Sequence, residues 1–289
     1  MLFLVMRSVM RAGGFDSARR IGAWLGAAHY ALAGKTRRIC LQGLAALQGR
    51  QVDDPQVVRT LRNAYRVNTI AILEVLSMVD RRLDADRLRA LCRVDGLEHL
   101  QQSRKGSGAI LLVTHSGNGL LLAAQLADQG LPITVVYRHS PMMSQQFFAD
   151  GLPRYGIQGI LANEGLRAYA GLMDALRHDR IVFAMIDQGV VEDETGIPLR
   201  FLGKDMPMPG GIVQLARQLR TPILPVEPLA ADPVWHFAIQ PRLQLPPGSS
   251  VEEDTLEILR HVEAQILAHP ELWSWHQRRW REFPLAKGE

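Results

Sequence analysis

The stretch Ala109-Ile110-Leu111-Leu112-Val113-Thr114-His115-Ser116-Gly117-Asn118-Gly119 decides how the chain is read. A short apolar run that stops at a polar, glycine-bearing turn reads as a buried strand. A helical pattern over 119–127 follows at once. Strand, tight turn and helix open an α/β unit, and open α/β sheets bind ligands at the carboxyl ends of their strands. His115 is delivered to that edge. An imidazole there is a candidate general base near neutral pH. Gly117 and Gly119 keep bulk away from it, and the free N–H groups of the following helix suit a developing oxyanion. The plainer alternative is a strand-end histidine bonded to a neighbouring loop.

The same alternation continues outward. Strands are expected over 133–137, 181–186 and 223–227, and helices over 142–152, 164–176, 210–219 and 252–268. A late edge strand is expected over 235–243. Residues 1–90 read as helix throughout; 57–79 carries apolar residues at helical spacing and ends at Asp80-Arg81-Arg82. The expected fold class is therefore α/β, a mostly parallel sheet flanked by helices. A helical arm over 1–90 and an α/β domain over 91–289 form one integrated unit.

Composition narrows the function classes. The chain has 289 residues, 47% hydrophobic and 21% charged, enough for a large core. Net charge is +4, with arginines and lysines crowded at both ends: Arg7, Arg11, Arg19, Arg20, Lys35, Arg37 and Arg38, then Arg278, Arg279 and Arg281. Such clusters suit anionic partners. The interleaved aromatic-basic pattern of a nucleic-acid module is missing, so no nucleic acid partner is expected. Cys40 and Cys92 have neither CxxC nor metal spacing, and no HExxH occurs, so no metal site is expected. Met1 to Met6 is too short for a signal peptide, and no run approaches the roughly 18 apolar residues of a membrane span. Residues 21–34 lack formal charge and have basic flanks; they either lie in a membrane interface or pack on the core.

Further residues carry chemistry. Ile186-Asp187-Gln188-Gly189 ends another apolar strand and should emerge on the same edge as His115. Asp187 either orients an imidazolium or caps a turn, and Gln188 is placed to position a ligand. Arg138 and Arg154 follow edge-forming strands and are candidates to line the cleft. Trp273-Ser274-Trp275-His276-Gln277-Arg278-Arg279-Trp280-Arg281 suits an aromatic-basic interface or a snorkelling structural helix.

In order and spacing, several motifs together resemble the bacterial lipid A biosynthesis (late) acyltransferase family, a branch of the lysophospholipid acyltransferases. They are His115-Ser116-Gly117-Asn118, Tyr137-Arg138, Asp187-Gln188, Phe201-Leu202-Gly203, Thr221-Pro222-Ile223-Leu224-Pro225-Val226 and the closing Trp-Ser-Trp-His-Gln-Arg-Arg-Trp. The resemblance covers roughly residues 35–284. It implies transfer of a fatty acyl group from acyl carrier protein, or coenzyme A, to a hydroxyl or amine acceptor. The acyl thioester would be a co-substrate, with no further cofactor. It implies a membrane-associated N-terminal helix and a peripheral or monotopic location at the cytoplasmic face of the bacterial inner membrane. His115 becomes the general base. Ser116, Gly117, Asn118, Arg138, Arg154, Gln188, Phe201 and Gly203 become substrate-binding positions.

One departure stands out. The family's histidine is followed, after four residues, by an acid; here that slot holds Leu120, preceded by Gly119 where the family has tryptophan. Asp187 is the first candidate to replace the acid, with Glu192, Asp193 and Glu194 behind it. The alternative is a non-catalytic member that binds acyl lipid or carrier. A serine hydrolase is disfavoured, because no Gly-x-Ser-x-Gly elbow exists.

Overall fold

The computed structural model describes residues 2–104, 108–138, 145–190 and 196–284. Two strands form the centre of the fold: β2 (Ala109–Leu112) and β5 (Ile181–Ala184), parallel neighbours buried along their whole length. Ile110, Leu112, Val182 and Ala184 face one apolar cluster; Ala109, Leu111, Ile181 and Phe183 face the other. Strands covered on both faces read as unbroken apolar runs, which is why these two were legible.

Around them lie β1 (Cys92–Asp95), β3 (Ile133–Tyr137), β4 (Gln158–Leu161), β8 (Ile223–Ala230) and β9 (Trp235–Ile239). The order is β1-β9-β8-β2-β5-β3-β4. The five strands from β8 to β4 are parallel; β9 runs antiparallel to β8, and β1 parallel to β9. The expected edge strand over 235–243 is thus corrected: it ends at Ile239 and lies second from the edge, because Cys92–Asp95 pairs outside it. A separate hairpin of β6 (Ile197–Phe201) and β7 (Lys204–Met208) turns at Leu202 and Gly203, both at positive φ, as a two-residue primed turn requires.

Helices cover both faces. On one face α8 (Leu166–Arg177), α9 (Gly211–Leu219) and α10 (Val251–Ala268) supply buried residues to the first cluster. On the other, α6 (Gly119–Asp128) supplies Leu121 to Ala124 and Leu126. Ser250 and Glu253 form a reciprocal capping box that starts α10. The short helices α4 (Ala85–Leu91), α5 (Leu97–Ser103) and α7 (Gln145–Gly151) complete the shell.

The N-terminal helices are built into this core. In α2 (Gly34–Gln48), Cys40, Leu44 and Ala45 join the first cluster. In α3 (Pro55–Asp80), Leu61 and Tyr65 belong to the first cluster and Ala71 and Met78 to the second, so the helix passes from one face to the other. The long α1 (Leu2–Leu32) crosses α3 closely. A Cβ on Gly22 would lie 2.7 Å from the Ile70 Cα, and one on Gly26 would lie 2.6 Å from the Arg66 Cα. One side of residues 21–34 therefore packs on α3, while Trp24, Ala27 and Leu32 on the other remain exposed. Among the described residues no helix is long and apolar enough to cross a membrane.

Candidate active site

The β2–β5 register sets the site. It pairs Ala109 with Ile181 and Leu112 with Ala184, an offset that carries past both strand ends and places His115 opposite Asp187. Two contacts join them: His115 Nδ1 lies 2.7 Å from Asp187 Oδ1, and the His115 backbone N–H donates to Oδ2 at 2.7 Å. The Trp273 indole N–H also donates to Oδ2, at 2.8 Å. Asp187 is fully buried, whereas 31% of the His115 side chain is exposed. Burial pushes the Asp187 carboxyl up, but His115 and the three hydrogen bonds outweigh it and hold the group below its ordinary range. Among the described residues nothing hydrogen-bonds His115 Nε2, so that nitrogen is open.

The turn after His115 is held from several sides. The His115 carbonyl accepts from the Ser274 N–H at 3.2 Å, and buried Ser116 forms a backbone bridge with Trp273. Gly117, at φ +70°, lies over Trp235: a Cβ there would come within 2.4 Å of the ring. Asn118 is fully buried and caps α6, its side-chain Oδ1 accepting from the Leu121 N–H at 3.0 Å. Its NH2 donates to Glu74 at 3.0 Å. The Asn118 amide therefore serves the turn and does not face an open cleft.

Other expected site residues are scattered. Gln188 is buried beside Asp187, and its Nε2 has no partner among the described residues. Arg138 follows β3 at the same carboxyl edge. Phe201 is fully buried in the hairpin, with its ring 6.5 Å from that of Trp273; Gly203 forms the turn and packs on Leu47. Both shape the core behind the site. Arg154 lies elsewhere. It lines a cavity of ≈ 440 Å³ with Arg82, Ala127 and Asp128, at the far end of α6 from His115. Glu192, Asp193 and Glu194 lie outside the described residues.

The closing tryptophan motif is structural. Trp273, Trp275 and Trp280 are fully buried and meet edge to face, with centroids 4.8–5.6 Å apart. Lys204 lies 4.4 Å over the Trp280 ring. Only the short α11 (Arg278–Arg281) is helical there. Sequence reasoning missed the bond from Trp273 to Asp187 and the part played by Glu74. The tryptophan motif itself was the one available signal for the first.

At the slot where the acid was expected, Leu120 is half-buried against apolar neighbours on both sides of α6. Gly119 beside it has open space: a Cβ would meet only the Met185 Cε, at 3.8 Å.

A parallel sheet with a buried carboxylate bonded to a strand-end histidine defines a site suited to proton abstraction from a nucleophile. The chain belongs to the bacterial lipid A biosynthesis acyltransferase family, which matches residues 1–282. That span takes in α1, beyond the roughly 35–284 over which the motifs resemble the family. The family places the chain among the acyltransferases of lipid A-type acylation. No curated protein matches the chain significantly.

Proposed function

We propose that the protein moves a fatty acyl group from a thioester of acyl carrier protein or coenzyme A to a hydroxyl or amine of a lipid-like or specialised-metabolite acceptor, with His115 as general base. The observation that carries this reading is the His115–Asp187 pair, 2.7 Å apart with the carboxylate buried and Nε2 left open. Asp187 fixes the tautomer that bears its proton on Nδ1 and stabilises the imidazolium formed during transfer. His115 Nε2 removes the acceptor proton as the acceptor oxygen or nitrogen attacks the thioester carbon. The carbon–sulfur bond then breaks, and the imidazolium returns the proton to the departing thiolate. The first N–H groups of α6 favour the transient oxyanion. Open space at Gly119, beside the exposed Met185, leaves room for an apolar part of the substrate.

Peripheral association with the cytoplasmic face of the inner membrane belongs to the same proposal. Arg20, Trp24 and Ala27 form an exposed stripe on α1, extended by exposed Leu32, Lys35 and Arg38. An aromatic side chain between cationic ones suits an anionic lipid interface. For an acidic carrier, Arg20, Lys35 and Arg38 are better placed than the C-terminal arginines. Arg278 and Arg281 already face Glu282, and the Arg281 Nε donates to the His276 carbonyl.

The test is mass spectrometry of products from carrier-bound and coenzyme A-bound acyl donors with hydroxyl and amine acceptors. Transfer that is lost in His115→Ala supports the proposal. Absence of turnover overturns it in favour of an acyl-binding role, and turnover untouched by His115→Ala removes His115 as base. Sedimentation with anionic vesicles, weakened by Trp24→Glu, tests the membrane arm.

A further inference from the structure

A carboxyl group, Glu74 of α3, lies fully buried six residues before the end of that helix and takes no part in the proton transfer described above. Its Oε2 accepts from the Asn118 NH2 at 3.0 Å and from the Trp235 indole N–H at 2.5 Å. Its Oε1 faces the Arg19 Nε of α1 at 3.2 Å. The Arg19 guanidinium also sits 5.9 Å over the Trp235 ring, and it reaches Asp232 at 3.4 Å. Four separate elements meet at this carboxylate: α1, α3, the start of α6 and β9.

The chemistry of the cluster has a direction. Glu74 Oε2 is the acceptor toward both neighbours, so it holds the Asn118 amide with its NH2 toward Glu74. The amide oxygen is then the atom left for the Leu121 N–H, which is the cap that starts α6. With the amide reversed, two oxygens would face each other and the cap would be lost. The same carboxylate fixes the Trp235 indole, whose ring lies under Gly117. Two of the neighbours that support the turn after His115 thus take their orientation from one buried group.

We infer that Glu74 is a positioning residue for His115: its carboxylate sets Asn118 and Trp235, which hold the His115 turn, and Arg19 ties that carboxylate to α1. The role in turnover rests on the proposed acyl transfer; the role in geometry does not. On this inference α1 is part of the site's support and not a detachable arm.

The experiment compares Glu74→Leu, Glu74→Gln and Arg19→Met in the full chain, with fold checked by circular dichroism and thermal unfolding. Two readouts are taken: histidine ring signals by nitrogen-15 NMR, and kcat and KM for thiol release from an acyl-coenzyme A. Glu74→Leu is expected to shift the His115 ring signals and to lower kcat by about tenfold or more with KM nearly unchanged, as a misplaced base does. Glu74→Gln, whose carbonyl still accepts from Asn118, is expected to recover most of the loss. Arg19→Met, at the partly exposed rim, covers the case in which Glu74→Leu does not fold, and it should shift the same signals less. His115 signals unmoved in all folded variants overturn the inference. A wild-type protein without turnover overturns the acyl-transfer proposal alone, and the NMR arm still decides the role of Glu74.

Discussion

His115 and Asp187 are partners by register. The offset of 72 residues that pairs β2 with β5 also pairs the two side chains, which sit 2.7 Å apart beyond the strand ends. The acid slot that holds Leu120 is one way to supply a carboxylate to this histidine, from the helix that follows. Supply from the adjacent strand needs no side chain from that helix. Asp187→Asn should preserve the shape of the site and remove the charge that holds the imidazole in its working tautomer. Transfer is expected to fall by roughly 10²–10⁴-fold while the protein stays folded. Steady-state kinetics beside a thermal unfolding curve check both halves.

The same carboxylate makes stability depend on acid. Burial raises the Asp187 pKa, but the His115 charge, the bonds from His115 and the Trp273 N–H together leave it lowered in the folded chain. In the unfolded chain it returns to about 3.9. A depressed native value stabilises the fold fully above that pH, and the contribution is lost as pH falls through the native value. As pH falls below about 4, wild type should therefore lose stability faster than Asp187→Asn. Urea unfolding midpoints at a few pH values in that window measure the difference. Parallel curves would mean that Asp187 gains nothing from its partners.

The turn itself should tolerate little. Gly117 has φ +70° and would drive a Cβ to within 2.4 Å of the Trp235 ring. Gly117→Ala combines an unfavourable backbone conformation with a clash, and Trp235 is fixed by its bond to Glu74. A loss of about 1–3 kcal/mol is expected, together with a fall in transfer as His115 moves. Replacing Gly49, also at positive φ but with no atom within 4 Å of a Cβ, should leave transfer unchanged. That comparison separates the clash from the backbone cost.

How much of this was legible follows from burial and distance along the chain. The central strands announced themselves because both faces are covered, and their ends delivered His115 and Asp187 to a single edge. The outer strands did not. Cys92–Asp95 and Gln158–Leu161 have four residues each, are partly exposed, and carry no apolar run. The hairpin of β6 and β7 contains Pro198 and Pro207, which obscure a strand pattern. Trp273 approaches Asp187 from 86 residues away on an irregular segment, so no periodicity predicts the contact. Glu74 hides inside an amphipathic helix, where a charged residue is expected to face water; its burial follows only from the approach of Asn118, Trp235 and Arg19. Phe201 and Gly203, which the family resemblance gives as substrate-binding positions, form the strand end and the turn of that hairpin, the glycine answering the positive φ that a tight turn demands.

Restoring the motif acid should not improve the protein. Leu120 is half-buried among apolar side chains at the start of α6, so Leu120→Glu desolvates a carboxylate and is expected to cost about 1–3 kcal/mol. The helix N-terminus offsets part of that, by about 0.3–1 kcal/mol. At the site there is no vacancy to fill, because His115 Nδ1 is already bonded to Asp187. A second carboxylate nearby would only compete for the same ring nitrogen. Transfer by Leu120→Glu is therefore expected to stay at or below the wild-type rate. In the Asp187→Asn background, Leu120→Glu should recover little, since the Trp273 N–H and the His115 backbone N–H remain aimed at position 187. A double-mutant cycle on kcat decides the matter. Near-complete rescue by Leu120→Glu would show that either position can serve the histidine, and that the register-borne partner is not the one on which the reaction depends.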